Sequence, residues 1–250
     1  MNGAQLLRYS SHLLLEDIDV AGQKRLLNAH ALVVGAGGLG SAVAPYLAAA
    51  GVGHITLLDH DDVELTNLQR QIMHTELTIG KSKVASGKQF LQQLNPGIQV
   101  EAIQAKADEF LLDEIRHRVD IVLDCTDNFQ TRQPINASCV NHQKPLVSGS
   151  ALRFDGQVSV FDPRNRNSPC YACIFSPDET FEEVSCASMG IFSPLVGIIG
   201  TIQAGQALQV LIGFGEPLIG RMLLWNARTT QIDQIQIARN SDCPICGTEH

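Results

Sequence analysis

The amino-acid sequence predicts an α/β fold: a doubly wound, mostly parallel sheet extended by antiparallel strands, with a four-cysteine zinc site. Three observations predict it. Short apolar strands alternate with helical segments from residue 31 to residue 149, the pattern of βαβ units. A glycine-rich loop joins the first strand directly to a helix. Two Cys-x-x-Cys pairs, Cys170/Cys173 and Cys243/Cys246, lie far apart in the chain, and two such pairs supply a closed tetrahedral shell.

Each element has its own signal. Residues 1–29 read as an amphipathic helical arm, with Leu6, Leu7, Leu13 and Leu14 at near-helical spacing and a second short helix over Gln23–Leu27. Ala31–Gly35 is an apolar strand that turns into a helix over Ser41–Ala50, stopped by Gly51 and Gly53. His54–Asp59 is a second strand ending on an acid. Helix Lys81–Leu94 closes at Asn95-Pro96-Gly97. Strand Ile98–Ala105, helix Glu109–Arg118, strand Asp120–Asp124, helix Gln130–His142 and strand Pro145–Gly149 complete the alternation.

After residue 150 the pattern changes. Asp155-Gly156 predicts a two-residue hairpin turn between Ala151–Phe154 and Gln157–Phe161. The acidic stretch Ser176–Ser188 reads as a mobile loop, and Leu195–Phe214 as a buried or interface helix interrupted by Gln203, Gln206 and Gln209. Met222–Trp225 and Gln231–Ile237 read as two more antiparallel strands. The whole, residues 1–250, reads as one domain in three parts: the arm (1–29), a nucleotide-binding half (30–150) and a partner-binding half with the zinc knuckle (151–250).

Composition narrows the function. Hydrophobic residues make up 44% of the 250, enough for a large core, and the formal charge of −8 argues against nucleic-acid binding. No basic segment followed by an apolar run opens the chain, so no signal peptide is expected. No membrane span is expected either, because the glutamines and glycines interrupt the most apolar stretch. Seven cysteines fit a reducing cytoplasm.

Gly35-x-Gly37-x-x-Gly40 satisfies the Rossmann-like dinucleotide fingerprint, and Gly38 lies inside it. Glycines let backbone amides approach phosphate oxygens at a helix N-terminus. Asp59 is placed to bind a ribose or, more simply, to cap its strand. An NAD or FAD site satisfies this loop as well as an ATP site. The segment Asp61 to Gln71 separates them, because it carries Arg70 and is followed by Lys83. Attack on a triphosphate moves negative charge onto the leaving pyrophosphate, and fixed cations stabilise that movement. The plainer reading makes both solvated surface charges. Asp124-Cys125-Thr126-Asp127-Asn128 ends the fourth strand at the carboxyl edge of the sheet, where ligands bind in this architecture. Asp127 is the natural Mg²⁺ carboxylate; its alternative is the N-cap of the following helix.

The cysteine pairs predict a structural zinc, with redox pairs or unrelated buried thiols as the alternative. Cys125 and Cys139 read as ordinary buried thiols.

With these residues assembled, the chain resembles the MoeB/ThiF adenylyltransferases, bacterial relatives of ubiquitin-activating enzymes. The resemblance spans essentially the full length. It is carried by Arg8-Tyr9-Ser10, the run at 33–40, Ala50–Gly53, Asn67-Leu68-Gln69-Arg70-Gln71, Asp124–Asn128, both cysteine pairs and Pro194–Gly200. It implies that the C-terminal Gly-Gly carboxylate of a ubiquitin-like sulfur carrier attacks the α-phosphorus of Mg-ATP, giving an acyl-adenylate and pyrophosphate. It places Gly35, Gly37, Gly38 and Gly40 at the phosphates, Asp59 at the ribose, and Asp61, Thr66, Asn67, Leu68, Gln69, Arg70 and Lys83 around the nucleotide. Arg70, Lys83 and Asp127 become the catalytic set, with Asp127 and Asn128 serving Mg²⁺ and nucleotide. It also implies a homodimer.

One position departs from the family. An arginine that usually follows Arg-Tyr-Ser, and that reaches the partner subunit's triphosphate, is Ser11 here. Cys186 corresponds to a cysteine that can bond to the carrier in the thiazole branch. Arg153 and its surroundings point to the molybdopterin carrier, with the thiazole-pathway carrier as the alternative. The rival readings are an NAD-dependent oxidoreductase and a non-catalytic scaffold for a ubiquitin-like partner.

Overall fold

The computed structural model describes residues 1–177 and 189–247. The helices are α1 (Gly3–Arg8), α2 (Ser10–Leu13), α3 (Asp19–Asn28), α4 (Gly40–Ala50), α5 (Lys83–Leu94), α6 (Glu109–Ile115), α7 (Phe129–Asn141) and α8 (Ser193–Ile212). The strands are β1 (His30–Val34), β2 (His54–Asp59), β3 (Gln99–Gln104), β4 (Ile121–Asp124), β5 (Leu146–Leu152), β6 (Asp155–Phe161), β7 (Arg221–Asn226) and β8 (Gln231–Gln236). They form one eight-stranded sheet in the order β3-β2-β1-β4-β5-β6-β7-β8. The first five pair in parallel and β5 to β8 pair antiparallel, as the sequence predicts.

The parallel strands are apolar on both faces because both faces are covered. In β1, Ala31 and Val33 face the layer built on α4 and α8, while Leu32 and Val34 face α6 and α7. Gln203 explains why a glutamine survives in the apolar α8. It is fully buried, and its Nε2 donates to the Asp124 carbonyl at 2.8 Å and the Val147 carbonyl at 3.3 Å, fastening α8 to β4 and β5. By length and composition α8 could cross a membrane, but it packs against α4, β5 and β6.

Two expectations change. The hairpin turns at Arg153-Phe154, with Leu152 opposite Asp155, so Asp155-Gly156 belongs to β6. Arg153 takes φ +53° there. Gly156 is needed for packing, since a Cβ on it would lie 2.4 Å from Ile199 of α8. Leu6, Leu7 and Leu14 of the arm also face outward, Leu7 at 78% and Leu14 at 84% exposed, whereas Leu26 is fully buried. Tyr9 faces inward too. It is buried against Gly51, and its hydroxyl accepts from Asn95 Nδ2 at 3.0 Å.

Candidate functional site

A cleft of about 640 Å³ opens at the carboxyl ends of the parallel strands. Gly35, Gly37, Gly38, Asp59, Asp61, Arg70, Lys83, Asp127 and Asn128 all line it. The glycine loop forms one wall. Gly35 has φ +95°, and a Cβ there would lie 2.7 Å from the Cys125 carbonyl. Gly40 does not line the cleft. Its hydrogen lets the start of α4 close on Gly35, since a Cβ would lie 2.0 Å from the Gly35 oxygen.

Side chains pin this loop. The Ala36 N–H donates to Asp59 Oδ2 at 2.7 Å, and the Ala36 carbonyl accepts from His74 Nε2 at 2.8 Å. The other His74 nitrogen meets Ser86 Oγ at 2.9 Å, so a neutral ring satisfies both contacts. Burial favours that neutral form by lowering the His74 pKa. Asp59 Oδ1 also accepts from the Asp61 N–H at 2.9 Å. Asp59 therefore does cap its strand, and each oxygen keeps a further lone pair.

Lys83 is not a solvated surface charge. It opens α5 after the N-cap Ser82, is 6% exposed, and meets Asp61 Oδ2 at 2.7 Å. Burial works to raise the Asp61 carboxyl, but the hydrogen bond and charge of Lys83 outweigh it and hold Asp61 below the ordinary range. Arg70 is half-buried and donates to the Thr66 carbonyl at 3.2 Å; no acid pairs with it among the described residues. Thr66, Asn67, Leu68 and Gln69 lie outside the cleft lining. Asn67 Oδ1 accepts from the Glu64 N–H at 3.1 Å, Thr66 Oγ1 donates to Glu64 at 3.2 Å, and the Gln69 carbonyl accepts from the Ser193 hydroxyl. These contacts shape the turn that presents Arg70.

Asn128, not Asp127, caps α7: its Oδ1 accepts from the Thr131 N–H at 2.8 Å. Asp127 is left exposed at the cleft. Sequence reasoning missed Gln71, which lines the cleft, is 4% exposed, and has an Oε1 without a hydrogen-bond partner among the described residues. Its signal was present, because it ends the Asn67–Gln71 run. Arg132 was also missed, an arginine placed one turn into α7 behind the Asp-Asn pair.

The four thiols of Cys170, Cys173, Cys243 and Cys246 converge as expected, all within 4.8 Å of one another. Cys170 Sγ is 3.6 Å from Cys243 Sγ and 3.9 Å from Cys173 Sγ, and Cys173 Sγ is 3.3 Å from Cys246 Sγ. Zn–S bonds of about 2.3 Å give tetrahedral edges near ~3.8 Å, so the set fits that shell. Backbone N–H groups of Cys170 and Asn240 point at Cys173 Sγ, at 3.4 and 3.5 Å, as thiolate acceptors require. Cys125 and Cys139 are buried, and burial pushes both thiols up. Cys186 lies outside the described residues.

A second polar cluster occupies the opposite edge of the sheet. The rings of His30 and His54 stack at 3.6 Å, His30 Nε2 meets Thr56 Oγ1 at 2.8 Å, and Thr56 Oγ1 donates to Glu101 at 3.2 Å. Burial, followed by the neighbouring His54, lowers the His30 pKa to about 4.

Comparison with known proteins places this architecture. The chain is 40% identical over 249 residues to the molybdopterin-synthase adenylyltransferase of Salmonella typhimurium, covering 99% of this chain and 98% of that protein. It is 43% identical over 247 residues to the sulfur carrier protein ThiS adenylyltransferase of Escherichia coli, covering 99% and 97%. The crystal structure of E. coli MccB with ATP superposes with a TM-score of 0.80 at 26% identity, over 91% of this chain and 69% of that one. The ThiF family model matches residues 9–245, and the chain belongs to the ThiF family.

Proposed function

We propose that the protein is an ATP-dependent adenylyltransferase acting on the C-terminal Gly-Gly carboxylate of a ubiquitin-like sulfur carrier. The observation that carries this reading is the convergence of Lys83, Arg70 and Asp127 on one glycine-loop cleft. A carboxylate oxygen of the carrier attacks the α-phosphorus. The bond to the bridging oxygen breaks, and its electron pair leaves with pyrophosphate. Asp127 would hold Mg²⁺ with Asn128 beside it, and the ion would neutralise phosphate charge. Arg70 and Lys83 meet the charge that moves onto pyrophosphate, and the pinned loop presents its amides without reorganisation. Asp59 takes the ribose. The carrier supplies the nucleophile, so these residues need only position and neutralise.

Residues 30–150 are the nucleotide half and 151–250 the carrier half of one unit. The four cysteines would hold a structural Zn²⁺, since together they supply a closed four-sulfur set. The outward Leu7 and Leu14 support a homodimer, and the unpaired thiols support a cytoplasmic location. We favour the molybdopterin carrier from Arg153, with the thiazole-pathway carrier as the alternative. Identity does not separate the branches, at 40% against 43%. The test is ATP–pyrophosphate exchange with each purified carrier. Exchange with one carrier assigns it; exchange with neither overturns the reading.

A further inference from the structure

Arg132 and Asn136 stand one turn apart on α7 and join the two sites. Arg132 is 5% exposed. Its guanidinium donates to the Thr126 carbonyl at 2.5 Å, the Gly149 carbonyl at 2.9 Å and Ser148 Oγ at 3.3 Å, and lies 3.6 Å from Asp124 Oδ2. Asp124 Oδ1 in turn accepts from the Thr126 N–H at 3.0 Å and the Thr126 hydroxyl at 2.7 Å. Both backbone groups of Thr126, the residue before Asp127, are thus fixed by one buried ion pair. On its other side Arg132 lies 6.0 Å from the centre of the Tyr171 ring. The Tyr171 N–H donates to Asn136 Oδ1 at 2.9 Å, and Asn136 Nδ2 donates to Cys170 Sγ at 3.6 Å. An unbroken chain of contacts runs from the four-thiol cluster to the turn bearing Asp127.

We propose that Arg132 is the positioning residue for Asp127, and that Asn136 and Tyr171 couple occupancy of the thiol cluster to Mg-nucleotide affinity in the cleft. The proposal rests on the reading of that cleft as a Mg-ATP site. A buried cation holds its place only while all its partners do, so a shift of Tyr171 is felt at Thr126. Coupling of this kind is reciprocal, which makes it measurable by binding alone.

The experiment is calorimetric titration of Mg-ATP and, separately, of AMP, without carrier. AMP serves as the control because it carries no β- or γ-phosphate and so offers fewer anionic oxygens to an ion that Asp127 would hold. Arg132→Lys should weaken Mg-ATP by about fivefold or more and leave AMP unchanged. Asn136→Ala should do the same while retaining its metal by elemental analysis. Chelator-stripped wild-type protein that keeps its far-UV spectrum should match them; if stripping unfolds the chain, Asn136→Ala decides. Equal loss for both nucleotides, or no loss in either variant, overturns the proposal. Failure of the wild-type protein to bind Mg-ATP overturns the underlying reading instead.

Discussion

The thiol cluster and the cleft treat their polar atoms in opposite ways. In the cluster each of the four sulfurs has another within 4.8 Å, and backbone amides supply further partners to Cys173. Among the described residues, Arg70 in the cleft donates to a backbone carbonyl, Gln71 Oε1 has no partner, and Asp127 is exposed. A ligand that stays for the life of the protein can be enclosed, and its binding energy is folding energy. A ligand that must leave each cycle is met by groups that are held in place yet incompletely satisfied. Hydrogen bonds supply the holding, from Asp59 and from His74 backed by Ser86, behind the glycine loop.

Five substitutions or conditions test that contrast, beginning with the largest effect. Cys243→Ser should remove the metal and more than about 4 kcal/mol of stability, because the cluster ties residues 243–247 to the Cys170 turn. Denaturant unfolding and elemental analysis read it; full stability without metal would make the cluster ordinary packing. Asp127→Ala should lower carrier-dependent ATP–pyrophosphate exchange by about 10²- to 10³-fold with the unfolding midpoint unchanged. Near-normal exchange would remove the Mg²⁺ role.

The third is a pH effect at the opposite edge of the sheet. Unfolded His30 takes up a proton near ~6.5, whereas folded His30 does so only at about 4. Between those values the unfolded state binds more protons, so stability falls as the pH drops through the window and is fully present above it. The acid limb of a stability–pH profile should shrink in His30→Gln; an unaltered limb would assign it to other groups.

The fourth effect is smaller. Ser11 is exposed on α2, and Arg8 donates to the Leu94 carbonyl at 3.2 Å. Ser11→Arg should tighten ATP less than about tenfold, consistent with one added charge near phosphate. When Ser11→Arg chains that also lack Arg70 are mixed with wild-type chains, the proposed homodimer predicts that the gain persists at the wild-type site. No gain in either form would mean that a cation already present suffices. The smallest is Cys186→Ala, which should leave acyl-adenylate formation unchanged, since no protein thiol takes part in attack at phosphorus. Mass spectrometry of the carrier after a single turnover reads it, and loss of the adenylate in a folded variant would contradict it.

Local pattern alone determined the parallel half of the sheet, the glycine loop, the two cysteine pairs and the positions of Lys83, Arg70 and Asp127. Those signals are short-range: strand length, helix punctuation and paired ligand spacing act within a few residues. Only the tertiary structure decided what each residue touches. It moved the hairpin turn to Arg153-Phe154 because Gly156 has to pass beneath Ile199 of α8. It gave the α7 cap to Asn128 and left Asp127 to the cleft. It turned Leu7 and Leu14 outward while seating Tyr9 against Gly51 and Asn95. It buried Arg132 and Gln203 among partners from distant strands, and Gln71 beside the glycine loop. A polar residue in an apolar stretch carries no sequence mark of its partners, because its cost when buried is cancelled only by atoms that folding brings to it.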